Sequence, residues 1–325
     1  LPEINGARRN EMRIAAMHDV VKRYGSTVAL DHVDVELQKG EILGLLGPNG
    51  AGKTTAIHSL VGLLPVDGGA VELFEQRQHA GAMELRRRVG LVTQEITIFE
   101  DLTARENLLF FAGLYGVKEP VRGQRIRETL EFVGLTEHAD KLTKKFSGGM
   151  KRRLNIGCAL THEPELLVMD EPTVGIDPQS RNHILQSVRA LRDAGTTILY
   201  TTHYMEEAQA IASRIVIMDL GHVIAQGTVE ELIERIQYEE RVLLEVGDPS
   251  PRLLEDLRRV AGVKHVRAQG ARLTVVSQAG SENLDQIIAC AQSAGRLRSV
   301  TAEKPTLEDV FLALTGKSLR DGEAK

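Results

Sequence analysis

The 325 residues are 42% hydrophobic and 26% charged, the balance of a folded globular protein, which excludes a largely disordered chain. Their number exceeds what one hydrophobic core usually organises, so a main domain with a smaller companion is expected. A formal net charge of −5 lacks the basic excess that binding a phosphate backbone demands, and no nucleic-acid partner is expected.

Cys158 and Cys290 stand far apart, without CxxC or Cys/His spacing, and read as reduced, buried thiols of a cytosolic protein. No window approaches the roughly 18 consecutive apolar residues of a membrane-spanning helix, and no signal peptide is read ahead of the fold. Residues 1–12 are polar and without pattern; they are expected to be a tail or a cloning remnant, with Met12 as a natural start.

Residues 13–21 and 28–37 alternate apolar and polar positions around a turn at 24–27, which predicts a hairpin and an antiparallel sheet edge. Tyr24 on that turn suits stacking on a nucleotide base, and equally suits a half-buried turn tyrosine. The apolar run 41–46 then predicts a buried strand, and 56–61 a helix. Between them lie Gly47, Pro48, Asn49, Gly50, Ala51, Gly52, Lys53, Thr54 and Thr55, a P-loop in its required strand-loop-helix context. Glycines let consecutive backbone N–H groups turn toward an anion, and the helix behind adds about half a positive charge at its N-terminus. Lys53 suits the terminal phosphates of a nucleotide and Thr54 a Mg²⁺ ion.

Strands are predicted at 70–74 and 88–93, the second ending at Gln94, a ligand for Mg²⁺ or water or else a strand-capping group. Thr103 and Glu106 form a capping box that opens a helix over 107–115, and a second helix follows over 119–133. These helices interrupt the strand rhythm and mark a helical subdomain over about 95–160. Phe99, Leu108, Phe110, Phe111, Leu114 and Tyr115 concentrate bulky residues there. Most are expected in its core, with an exposed minority as a docking surface for a partner helix. Ser147, Gly148 and Gly149 head the next helix as a second anion site, while the basic residues around them read as a solvated face.

Residues 166–170 form an apolar strand that ends in Asp170 and Glu171, carboxylates at the C-terminal edge of a parallel sheet. Asp170 suits Mg²⁺, and Glu171 a water poised for attack. A turn at 175–178 with Asp177, a helix over 179–193 and a strand over 196–201 lead to His203, placed to meet the γ-phosphate or Glu171. Strands at 214–219 and 222–225 complete the sheet, and residues 228–231 cap the last helix. From Tyr238 the pattern becomes βαββαβ, a ferredoxin-like α+β arrangement over 238–303 without a catalytic set. Thr306 and Asp309 then open a terminal helix within a closing segment, 304–325.

Together these parts resemble the nucleotide-binding subunit of an ABC transporter over roughly residues 12–236. In the family's order stand an aromatic A-loop at Tyr24, Walker A at GPNGAGKTT and the Q-loop at Gln94. The signature FSGGM, Walker B at LLVMDE, the D-loop at GIDP and the switch histidine His203 follow. The signature departs from LSGGQ at Phe146 and Met150 but keeps Ser147, Gly148 and Gly149. A closing KPTLEDVFLALTG, residues 304–316, is similar to that of drug- and antibiotic-resistance exporters.

The resemblance implies an α/β P-loop NTPase core over 13–237, with an antiparallel β edge and a helical subdomain, that hydrolyses ATP with Mg²⁺. It further implies a homodimer or heterodimer in which Ser147 and Asp177 of one chain complete the site of the other. A separate membrane-spanning permease, met at the cytoplasmic face of the membrane, would export a hydrophobic or amphipathic compound. The rival is a soluble ATP-switched protein of DNA repair or translation, whose coiled-coil insertion or second ATPase head this sequence lacks. A further expectation makes the appended domain a regulatory or dimer-stabilising module.

Overall fold

Runs of apolar residues too short for helices set the frame of the molecule, and the strands they form are buried on both faces. In the computed structural model residues 12–316 are described, apart from 80, 237–238, 248, 279, 294–296 and 304. The expected tails before Met12 and after Gly316, and Tyr238 itself, lie outside the described residues. The chain divides after Thr228 into two compact units.

In the first unit β1 (Arg13–Tyr24) and β2 (Thr27–Gln38) form the expected hairpin, closed at Tyr24 opposite Thr27. After them come β3 (Ile42–Leu46), α1 (Lys53–Leu60), β4 (Gly68–Leu73), β5 (Gln76–Arg77), α2 (Met83–Arg86) and β6 (Val89–Val92). The helical insertion is α3 (Ala104–Leu114), α4 (Val121–Phe132) and α5 (Gly148–Leu160). The unit ends with β7 (Leu166–Asp170), α6 (Pro178–Asp193), β8 (Thr197–Thr202), α7 (Met205–Ile211), β9 (Arg214–Asp219) and β10 (His222–Gly227).

Two sheets result. One is antiparallel, in the order β2-β1-β4-β5; the other runs β10-β9-β3-β8-β7-β6 and is parallel except for the edge strand β10. Every residue of β3, β7 and β8 is buried, as strands covered on both faces must be. Because these strands run the same way, their C-terminal ends bring residues 47–55, 170–171 and 202–203 to one edge of the sheet, where α/β folds bind ligands.

The helical insertion has a core of its own, with Leu108, Ile126, Leu130, Leu154 and Cys158 buried together. Its first helix starts on the expected capping box, in which Thr103 and Glu106 bond each other's backbone N–H. Leu108 is core, whereas Phe99, Phe110 and Leu114 are exposed, and the Phe99 and Phe110 rings meet edge to face at 4.7 Å. Tyr115 stacks on His162 instead, with ring centroids 3.6 Å apart.

The second unit holds α8 (Val229–Glu234), β11 (Glu240–Val246), α9 (Pro251–Arg259), β12 (Val263–Gln269), β13 (Arg272–Ser277), α10 (Leu284–Ser293), β14 (Leu297–Glu303) and α11 (Leu307–Thr315). Its antiparallel sheet has the order β12-β13-β11-β14, the ferredoxin-like arrangement. Helix α8 groups with this unit, so the division falls nine residues ahead of 238.

A fully buried Asn107 ties the insertion to the loop before it. Its Oδ1 accepts from the Phe99 N–H at 2.8 Å, and its Nδ2 donates to the Phe99 and Thr103 carbonyls at 3.0 and 2.9 Å. Removing the amide takes the acceptor from the Phe99 N–H and one donor from each of the two carbonyls, so Asn107→Ala is expected to cost about 1–3 kcal/mol. Urea unfolding checks this, and an unmoved midpoint would contradict it.

Candidate functional site

The P-loop is shaped by close approaches that only glycine permits. A Cβ on Gly47 would run into the Met218 carbonyl, and one on Gly52 would lie 2.6 Å from the Ala29 carbonyl, at a φ of +102° that disfavours any side chain. Gly52 is also the N-cap of α1 and supplies no side-chain acceptor. The first-turn N–H groups are thereby left to an anionic ligand.

Lys53 is 5% exposed, and its ammonium donates to the Gly47 and Pro48 carbonyls at 2.7 and 3.1 Å. The same group pairs with Glu171 Oε1 at 3.0 Å, while His203 Nδ1 lies 3.3 Å from Oε2. Burial alone would raise the Glu171 pKa, but His203 and Lys53 outweigh it and lower it to about 2. The carboxyl is therefore ionised at neutral pH. Glu171 sits at φ 45°, a left-handed conformation that costs a non-glycine residue roughly 1–3 kcal/mol and turns the chain sharply off β7.

Thr54 Oγ1 donates to Asp170 Oδ2 at 2.9 Å, and Thr201 Oγ1 to Asp170 Oδ1 at 2.6 Å. Thr201 also accepts the Glu171 N–H at 2.9 Å, which locks the two carboxylates in register. Among the described residues no cluster of three His, Cys, Asp or Glu side chains suits a metal. Thr54, Asp170 and Gln94 nevertheless offer hard oxygen donors of the kind Mg²⁺ takes beside nucleotide phosphates.

A cleft of about 640 Å³ opens over residues 48–55, walled by Gln94, Glu171, the start of β2 at Thr27 and the turn at Leu220. Tyr24 is not on its wall: it is 51% exposed at the end of β1, with Lys22 Nζ 5.8 Å from its ring centroid. Asp170 and His203 reach the cleft through their bonds to Thr54 and Glu171.

Ser147, Gly148, Gly149 and Asp177 lie elsewhere, as a second cluster. Ser147 caps α5 by accepting the Met150 N–H, and Asp177 caps α6 by accepting the Ser180 N–H at 2.9 Å, which lowers its pKa. A Cβ on Gly149 would run into Ser180, so this glycine lets the two helix starts pack together. Ser147, Gly148 and Asp177 are exposed.

The basic run around the signature is not wholly a solvated face. Arg152 is 3% exposed and donates to the Thr93 carbonyl at 2.8 Å and to the Gln94 carbonyl, clamping α5 to the Gln94 loop. Arg153 likewise bonds the Val133 and Gly134 carbonyls. Leu220, at φ 47° and 70% exposed on the cleft rim, also escaped sequence reasoning. Its one signal is a leucine in a Leu-Gly turn position that Asn or Asp usually takes.

A family model described as ABC transporter matches residues 30–174, and another, described as the C-terminal domain of DrrA1-3-like ATP-binding proteins, matches 227–315. The linearmycin resistance ATP-binding protein LnrL of Bacillus subtilis is 42% identical over 93% of this chain and 98% of its own. The chain belongs to the ATP-binding proteins of ABC transporters. It is thus an ABC ATPase, of a family that binds and hydrolyses ATP and acts with membrane permease subunits.

Other members of the family are similar over nearly their whole length. The daunorubicin resistance ATP-binding protein DrrA3 of Streptomyces coeruleorubidus is 39% identical over 93% of this chain and 96% of its own. The Nod factor export ATP-binding protein I of Cupriavidus metallidurans is 38% identical over 95% and 99%. Among solved structures, an ATP-binding subunit of an ABC transporter matches with a TM-score of 0.63 at 30% identity, over 68% of this chain and 92% of that one. A dimeric post-hydrolysis state of the cassette MJ0796, bound to ADP and Pi, matches with 0.60 at 26%, over 66% and 98%.

Since the folded pKa of Glu171 lies below the 4.5 of a free glutamate, its pairing stabilises the folded chain in full above about pH 4.5 and less as pH falls toward 2. The stability difference between wild type and Glu171→Gln is expected to shrink as pH falls below about 4.5. Chemical unfolding across pH measures it, and a pH-independent difference would contradict the assigned pairing.

Proposed function

We propose that the chain powers an exporter, as one of two ATPase subunits that sandwich ATP at the cytoplasmic face of a membrane and drive a separate permease. The observation that carries this reading is the bonded group of Lys53, Glu171, His203, Thr54 and Asp170 at one sheet edge. Lys53 and the α1 amides hold the β- and γ-phosphates, and Tyr24 stacks on the adenine. Thr54, Asp170 and Gln94 hold Mg²⁺, which when bound neutralises phosphate charge. The Glu171 carboxylate polarises the attacking water, and His203 donates toward the γ-phosphate.

Ser147, Gly148, Gly149 and Asp177 act on the nucleotide of the other subunit, and the exposure of Ser147, Gly148 and Asp177 on one chain supports that role. Phe99, Phe110 and Leu114 form the apolar surface on which a permease helix docks. Export of a hydrophobic or amphipathic compound is supported by the relatives named for linearmycin and daunorubicin resistance and for Nod factor export. A soluble switch in repair or translation is not favoured: among the described residues the longest helix, α6, has 16 residues, far short of a coiled-coil insertion.

Glu171→Gln is expected to bind ATP, to lose at least about a hundredfold in turnover, and to accumulate as a dimer when ATP is added. Steady-state hydrolysis and sedimentation with and without ATP test this; turnover at the wild-type rate would remove Glu171 from the role.

A further inference from the structure

Behind His203 lies a buried polar knot centred on Glu207, in the first turn of α7 and 3% exposed. Its Oε2 accepts three hydroxyls: Thr173 Oγ1 at 2.8 Å, Tyr200 Oη at 3.0 Å and Thr202 Oγ1 at 3.1 Å. That oxygen is saturated. Oε1 instead faces Arg181 Nε at 3.4 Å, and neither atom has a hydrogen-bond partner. One oxygen is therefore anchored to the strand ends beneath the site, and the other is held only by the charge of a neighbouring helix.

Arg181 stands one turn into α6, the helix that Asp177 caps. Its guanidinium lies over the Tyr204 ring at 4.8 Å, and the Tyr204 ring lies 4.1 Å from that of His203. The Tyr204 N–H donates to Thr202 Oγ1 at 2.9 Å, so the hydroxyl that binds Glu207 also fixes the backbone next to His203. A continuous set of contacts runs from the start of α6 through Arg181 and Glu207 to His203, and from there to Glu171 at 3.3 Å.

We propose that Glu207 is a positioning residue for ATP hydrolysis, holding the His203 loop in register and tying it through Arg181 to the helix that carries Asp177. A buried carboxylate tolerates little separation from its counter-ion, and the Arg181 contact is the weakly aligned one. A shift of α6, as Asp177 meets the partner subunit's nucleotide, makes or loosens that contact first. The knot thereby makes His203 geometry depend on what α6 touches. The proposal rests on the reading of His203 as acting at the γ-phosphate.

The test is ATP turnover and ATP affinity of Glu207→Gln, Arg181→Met and His203→Ala, alone and in pairs. Glutamine keeps an acceptor for the three hydroxyls but loses the charge that holds Arg181. Glu207→Gln is expected to lower kcat about tenfold while the ATP Kd stays within about threefold, and to cost less than about threefold more when His203 is already alanine. Arg181→Met leaves the hydroxyl contacts in place; it is expected to reproduce the loss, without adding to Glu207→Gln, and serves on its own if the glutamine variant fails to fold. Wild-type kcat in both variants, or a full multiplicative loss on top of His203→Ala, overturns the proposal. Wild-type turnover in His203→Ala overturns the reading beneath it and the proposal together.

Discussion

Lys53 and Glu171 meet at 3.0 Å in a place where each is about 95% shielded from water, and the arrangement of the first unit follows from keeping them there. Two buried charges are tolerated only when paired and hydrogen-bonded. Lys53 satisfies this with two P-loop carbonyls, and Glu171 with His203. On the proposed reading the polyphosphate of ATP replaces the carboxylate as the partner of the ammonium, and nucleotide binding frees Glu171 to face water. Parallel strands make this possible: β3 and β7 are separated only by β8, and all three end at the same edge.

The second unit has a different logic. Its four strands and two of its helices enclose a separate core of Val242, Leu244, Leu253, Leu257, Leu273, Val275 and Ile287. It has the βαββαβ order that periodicity predicts, and it corresponds to a domain shared with DrrA-like proteins.

Much of the site was legible because its chemistry demands rare residue combinations in a fixed order. Gly47 to Thr55, Asp170 with Glu171, and His203 announce themselves by type and spacing. Arg152, Thr201 and Glu207 do not, since an arginine in a basic run, a threonine in a strand and a glutamate in a short helix are ordinary until their neighbours are known. Their roles arise from contacts across 59, 31 and 34 residues of sequence. Placing α8 required the structure too, because a capped helix looks alike at the end of one unit and at the start of the next.

Calorimetric titration of ATP without magnesium, into the wild type and into Glu171→Gln, addresses the exchange at Lys53 most directly. If the carboxylate competes with phosphate for the ammonium and repels the γ-phosphate, the glutamine variant binds roughly tenfold more tightly, a gain of about 1.4 kcal/mol. Equal or weaker binding by the variant would contradict the account.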